Sequence, residues 1–240
     1  MLKRLDVLLT EKKLVRSRRV GRDLIKGGKV KVNGYVVKKQ GKRFDDAVTI
    51  EVTDHPKYVS RAGYKLEKAL TEFKIDVSDK TCLDVGASTG GFTDVLLQNG
   101  SSKVYAVEVG TGQLADEIRD DKRVISKENT DIRNVKKLPE KIDIAVVDVS
   151  FISLTAVLPS LKNLLDKKAD IVTLIKPQFE VKKSFRKKGG IVRELDKRRE
   201  AVERIRESAI QNGFNVIKVI DSPIEGAKGN REFLAHLTPN

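Results

Sequence analysis

Four apolar runs, "TCLDVG" (81–86), "KVYAVEV" (103–109), "IDIAVVDV" (142–149) and "DIVTLI" (170–175), alternate with stretches of helical period such as "GGFTDVLLQNG" (90–100) and "LDKRREAVERIRESAIQNG" (195–213). Runs that are apolar throughout, rather than at every second residue, belong to strands buried on both faces, which requires helices above and below the sheet. From residue 60 onward the order predicts an α/β fold of Rossmann-like type, with an open and mainly parallel sheet. Such sheets hold ligands beyond the carboxyl ends of their strands.

The first of these runs enters the glycine-rich stretch "CLDVGASTGGFTDVLL" (82–97), a strand, turn and helix whose backbone N–H groups converge on one point. Gly86 and Gly91 have the separation of a nucleotide-triphosphate loop, but Phe92-Thr93 follow where that chemistry needs Lys and Ser or Thr. A dinucleotide turn needs its second glycine where Ser88 stands. The turn therefore predicts a ligand without phosphates, lying along Gly86, Ala87, Ser88, Gly90, Gly91 and Phe92. Asp84 is placed to orient an ammonium group through the backbone or water. Glu108, 22 positions beyond Gly86 at the end of the next strand, is placed to accept from ribose hydroxyls. With Asp131 of "ENTDIR" reaching adenine and Asp148 completing the pocket, the expected cofactor is S-adenosylmethionine.

Residues 1–60 hold 16 Lys and Arg against 7 Asp and Glu, so +9 of the total charge of +14 lies in the first quarter. That density favours a polyanion, either nucleic acid or an anionic membrane surface. Residues 2–9 predict a short helix, and Ser17 is placed to cap a second, "RRVGRDLIK" (18–26), which Gly27-Gly28 ends. "KVKVNGYVV" (29–37) predicts two strands about Asn33-Gly34, and "VTIEV" (48–52) a third. A polar segment interrupted by Pro56 reads as a linker, giving a small α+β domain at 1–53, the linker at 54–59 and the α/β domain at 60–240.

"SRRVGRDLIKGGKVKVNGYVV" (17–37) resembles the small RNA-binding module of ribosomal protein S-four. The resemblance implies that Arg18, Arg19, Arg22, Lys26 and Lys29 face RNA phosphates.

One cysteine and two histidines exclude an intrachain disulfide framework and give no zinc-site pattern, so no metal is expected. Neither a secretory leader nor a run of 18 or so apolar residues is apparent, so a cytoplasmic protein is expected. Cys82 lies inside an apolar strand, which reads as buried and inert rather than as the nucleophile of pyrimidine carbon methylation. "DVSF" (148–151) replaces the Asn/Asp-Pro-Pro-aromatic motif of amino methylation. Oxygen methylation remains, and Lys176, ending "DIVTLIK" before Pro177, stands at the ligand edge of the sheet.

"YVSRAGYKLEKAL" (58–70), "LDVGASTGGFTDVLL" (83–97), "VVDVSFISL" (146–154), "LIKPQFE" (174–180) and "GNREFL" (229–234) together resemble the hemolysin A, or TlyA, family of ribosomal RNA methyltransferases. Its catalytic domain is similar to FtsJ-type ribose 2′-O-methyltransferases, whose Lys-Asp-Lys-Glu set the resemblance carries onto Lys65, Asp148, Lys176 and Glu232. It implies that Lys176 accepts or electrostatically eases the 2′-OH proton while the other three orient it. Mutual repulsion of the two lysines is expected to favour a neutral amine on one.

The segment "DHPKYVSR" (54–61) departs from one branch of that family, and the chain stops at "HLTPN" without the terminal extension of members that act on both ribosomal subunits. The resemblance thus points to ribosomal RNA as partner, with a cytidine of the large subunit as target. The alternatives are a membrane-active hemolysin and a non-catalytic RNA-binding or ribosome-assembly protein. A pseudouridine synthase is disfavoured, because Arg4-Leu5-Asp6 falls inside the small module.

Overall fold

The strands expected from the apolar runs form the centre of the larger of two compact units in the computed structural model, which describes residues 2–15, 18–54, 56–186, 190–226 and 229–240. The units divide after Lys57.

The first unit begins with a two-residue strand β1 (Lys3–Arg4), followed by α1 (Leu5–Glu11), α2 (Arg18–Lys26), β2 (Val30–Val32), β3 (Tyr35–Val36), β4 (Arg43–Phe44) and β5 (Ile50–Val52). β3, β2 and β5 make an antiparallel sheet, with Asn33 and Gly34 both at positive φ in the hairpin turn. Leu5, Leu9, Leu24, Ile25, Val30 and Val32 close the core between helices and sheet. The helix expected from residue 2 starts only at Leu5, because Lys3 and Arg4 pair with Phe44 and Arg43 as strand. The third strand covers 50–52 rather than 48–52. Ser17 lies outside the described residues, and Gly28, at φ +72°, terminates α2.

In the second unit, α3 (Ala62–Phe73) precedes β6 (Thr81–Val85), α4 (Gly91–Gln98), β7 (Lys103–Val107), α5 (Asp116–Arg119), β8 (Val124–Lys127), β9 (Ile142–Val147), α6 (Leu158–Leu161), β10 (Leu165–Ile175), α7 (Pro177–Glu180), α8 (Leu195–Gln211), β11 (Phe214–Asp221) and β12 (Phe233–Pro239). The seven strands run in the order β11-β12-β10-β9-β6-β7-β8. The five from β10 to β8 are parallel, and β12 is antiparallel to both of its neighbours.

Successive strand residues feed two different cores, as burial on both faces requires. Leu83, Val85, Ala145, Val147 and Ile171 pack with α6 and α8, whereas Cys82, Ile144, Val146 and Val172 pack with α3 and α4. The linker expected over 54–59 ends earlier than its polarity suggests, since Tyr58 and Val59 are buried in the second of these cores. The strand expected at 170–175 begins five residues sooner, at Leu165. Chain order reverses about β6, with β7 on one side and β9 on the other, which opens a crevice at their carboxyl ends.

Candidate active site

A cavity of about 500 Å³ occupies that crevice, lined from β6, β7, β9 and the loops that follow them. Its apolar wall includes Val109, Ile132, Val149 and Ile152, and its polar wall includes Glu108, Asp131 and Asp148. The wall's one arginine, Arg133, is held by Asp131 in a two-pronged pair with contacts of 2.5 to 3.0 Å. That guanidinium keeps the Asp131 carboxyl below the ordinary carboxylate range. Three carboxylates and a neutralised guanidinium repel a phosphate chain and suit a cationic nucleoside. The residues present therefore fit S-adenosylmethionine, with Glu108 for the ribose hydroxyls and the apolar wall for the adenine plane.

Glu108 also shapes the turn. One carboxylate oxygen accepts from Ser88 N at 2.9 Å and the other from Gly110 N at 2.8 Å. Ser88 sits at φ +49°, a left-handed conformation unusual for a serine, and this contact holds it there. Gly86 has φ +83°, and a Cβ on it would lie 2.7 Å from the Asp148 carbonyl oxygen, so the first glycine lets β6 and β9 close together.

The rest of the glycine turn is tightly packed. A side chain at Gly91 would overlap Ser60 Oγ, and one at Gly90 would press on Leu114 and Ile118. Ala87 and Phe92 are buried in the core, and neither they nor Gly90 and Gly91 line the cavity.

Asp84 is fully buried beneath the turn and accepts from Thr93 N at 2.9 Å and Thr93 Oγ1 at 2.7 Å, tying β6 to α4. Its other oxygen is buried without a hydrogen-bond partner. Burial pushes the Asp84 carboxyl up to about 7, with Thr93 opposing and Asp148 and Glu108 adding repulsion. The folded protein then keeps a proton that the unfolded chain has lost between about pH 4 and pH 7, so stability falls as pH rises through that window. Against Asp84→Asn, the cofactor-free wild type should lose up to about 4 kcal/mol between pH 4 and pH 8, read by chemical denaturation at each pH. A pH-independent difference between the two would contradict a buried, protonated Asp84.

The four tetrad residues gather at one edge of the sheet as two ion pairs. Asp148 follows β9, Lys176 follows β10, and Glu232 precedes β12, whose antiparallel direction brings its start to the same edge. Ile175 pairs with Phe233, so Lys176 and Glu232 leave adjacent strand ends. Lys176 Nζ lies 2.6 Å from Asp148 Oδ1 and donates to Ser150 Oγ at 2.8 Å. From α3, Lys65 Nζ reaches Glu232 Oε2 at 2.6 Å, with both side chains at least nine-tenths buried. The repulsion expected between the lysines is thus offset locally, since each has its own carboxylate.

The loop after β9 is braced from α7. Ser153 Oγ and Leu154 N donate to the buried Glu180 carboxylate, whose pKa burial raises. Phe151, in that loop, is 92% exposed at φ +66°, with its ring 5.3 Å from that of Phe179. Sequence reasoning missed Ser150, Gln178 and Arg133. Only Arg133 left a local signal, its spacing of two from Asp131.

In the first unit, Arg18, Arg22 and Lys26 are exposed at a spacing of four, one stripe along α2. Arg18 donates to Asp6 at 3.0 Å and Lys29 pairs with Asp54 at 3.0 Å. Burial opposes ionisation of Asp6, but Arg4 and Arg18 outweigh it and hold the carboxyl below its usual range. The side chain of Arg19 lies outside what the structure describes. The Cys82 thiol is pushed up to about 12, chiefly by burial, which removes it as a thiolate nucleophile at neutral pH. Among the described residues no helix is long and apolar enough to cross a membrane, and no cluster of three or more His, Cys, Asp and Glu could hold a metal ion.

Comparison with known proteins matches residues 58–238 to the FtsJ-like methyltransferase family and residues 3–48 to the S4 domain. Hemolysin A of Brachyspira hyodysenteriae is 44% identical over 97% of this chain and 98% of its own. The 16S/23S rRNA (cytidine-2′-O)-methyltransferase TlyA of Mycobacterium tuberculosis is 40% identical over 98% of this chain and 89% of its own. A solved structure described as a hemolysin from Streptococcus thermophilus superimposes with a TM-score of 0.79 at 41% identity, covering 100% of this chain and 89% of that one.

Proposed function

The chain belongs to the hemolysin A/TlyA branch of the FtsJ-like methyltransferases, and on that premise we propose that it methylates a ribose 2′-OH of ribosomal RNA, a cytidine of the large subunit being the expected target. The observation that carries this reading is the pairing of Lys176 with Asp148 and of Lys65 with Glu232 beside a carboxylate-lined nucleoside cavity. A non-catalytic RNA-binding role leaves two nearly buried ion pairs at a ligand edge without a purpose.

S-adenosylmethionine, when bound, supplies an electrophilic methyl group on a cationic sulfur. Glu108 holds the ribose hydroxyls of this donor, and Asp131 with Arg133 bounds the adenine end. Lys176, ion-paired with Asp148, acts electrostatically, donating to the 2′-oxygen as negative charge develops there. Asp148, in contact with Lys176, is the acceptor for the released proton. Lys65 and Glu232 fix the hydroxyl in line with the donor, the positioning from which such transfers gain most. Phe151, strained and exposed at the rim, offers a stacking face for a base turned out of its helix.

The stripe of Arg18, Arg22 and Lys26 binds RNA backbone, giving an affinity that falls steeply with salt. The protein accordingly works in the cytoplasm on ribosomal subunits. Purified protein with isotope-labelled S-adenosylmethionine should label isolated ribosomal subunits or their precursors at one ribose. Labelling confined to bases or protein, or none with any subunit or precursor, would overturn the reading.

A further inference from the structure

Glu232 is held on three sides, two of them by groups outside the tetrad. One oxygen receives Lys65, and the other accepts from Gln178 Nε2 at 3.3 Å. On the remaining side the carboxylate rests against Gly226, where a Cβ would overlap Oε1. Gly226 has no positive φ, so its backbone would accept alanine, and the three atoms nearest to an added Cβ all belong to the Glu232 carboxylate. Gly226 N donates to the Asn230 carbonyl at 2.8 Å, and the Asn230 side chain accepts from Val192 N at 3.0 Å.

Gln178 is 8% exposed, two residues beyond Lys176. Only the amino end of an amide can donate to a carboxylate, so the contact with Glu232 fixes which way the amide faces. Its carbonyl oxygen is then left shut off from solvent with no hydrogen-bond partner. A buried orphan acceptor is unfavourable, and a side chain chosen for stability would not carry one. Such local conflicts cluster where function needs them.

We infer that Gln178 and Gly226 are positioning residues for methyl transfer, which together fix the Glu232 carboxylate on Lys65. This rests on the tetrad reading above. Glu232 accepts from both partners, so its task is to aim Lys65. Displacing the carboxylate by an ångström misaims the lysine, an error that costs roughly 10²-fold in rate when the chemistry depends on placement.

The test measures kcat, KM for ribosomal subunits, cofactor affinity and thermal midpoint for wild type, Gln178→Met, Gly226→Ala and the double variant. Gln178→Met keeps the volume while removing both the donor and the orphan oxygen. Each single variant should lower kcat by roughly 10- to 100-fold with KM and cofactor affinity within about twofold. The midpoint of Gln178→Met should be unchanged or higher. Both changes release the same carboxylate, so the double variant should lose far less than the product of the two single losses. Wild-type kcat in both single variants, or losses that multiply, would overturn the inference. Should Gln178→Met fail to fold, Gly226→Ala decides by the same kcat criterion. Absence of transfer by wild type counts against the function itself, whereas equal transfer by wild type and variants counts against positioning alone.

Discussion

Replacing Lys176 by methionine should lower the rate of methyl transfer by roughly 10²- to 10⁴-fold, the range that a group stabilising charge in the transition state commands. Cofactor affinity should fall far less than the rate, since Lys176 is outside the wall of the nucleoside cavity and reaches it only through the loop after β9. The substitution also strips Asp148 of a partner at 2.6 Å, and a half-buried carboxylate left alone destabilises the loop after β9. The double variant Lys176→Met with Asp148→Asn separates these effects. It should recover the thermal midpoint that the single variant loses and remain inactive. Recovery of activity with recovery of folding would show that neither Lys176 nor Asp148 takes part in the transfer. Rates come from single-turnover transfer to ribosomal subunits, which excludes product release.

The second large effect falls on the cofactor. Glu108→Ala should weaken binding of S-adenosylmethionine by ~10²-fold or more, because a carboxylate accepting from two ribose hydroxyls contributes about 1.5 to 3 kcal/mol per bond. Part of the loss comes through the turn, since Ser88 N and Gly110 N lose their acceptor and the left-handed Ser88 loses its tether. Glu108→Gln keeps one acceptor oxygen and should cost about tenfold. Calorimetric titration with S-adenosylhomocysteine gives both numbers without turnover. Equal affinity for wild type and Glu108→Ala would move the ribose elsewhere in the cavity.

What the sequence made legible follows from what is local. Strands apolar on both faces announce a covered parallel sheet, and Gly86 and Glu108, expected at its ligand edge, both line the cavity there. β8 and β11 escaped because they carry half-exposed, mixed residues, whose burial pattern is set by neighbours far along the chain. The same limit explains the start of the chain, where Lys3 and Arg4 become strand only because residues 43 and 44 come alongside. A helical period cannot reveal that pairing.

The glycine turn shows the limit most clearly. Six of its residues looked alike as cofactor contacts, yet only Gly86 and Ser88 line the cavity. A side chain at Gly91 would meet Ser60, and one at Gly90, whose φ of +89° already favours glycine, would meet Leu114 and Ile118, contacts made across more than twenty residues. The pairing within the tetrad was equally hidden, since Lys65 and Glu232 lie 167 positions apart. Motifs could nominate the four, but which lysine answers which carboxylate depends on β12 running antiparallel to β10.

The central claim, that this chain methylates a ribose of ribosomal RNA, is tested most directly in cells. Ribosomal RNA from cells with the protein, without it, and with only Lys176→Met should be mapped for 2′-O-methylation by mass spectrometry. One ribose methyl, expected on a large-subunit cytidine, should be present in the first and absent from the other two. Identical methylation maps in all three would contradict the claim.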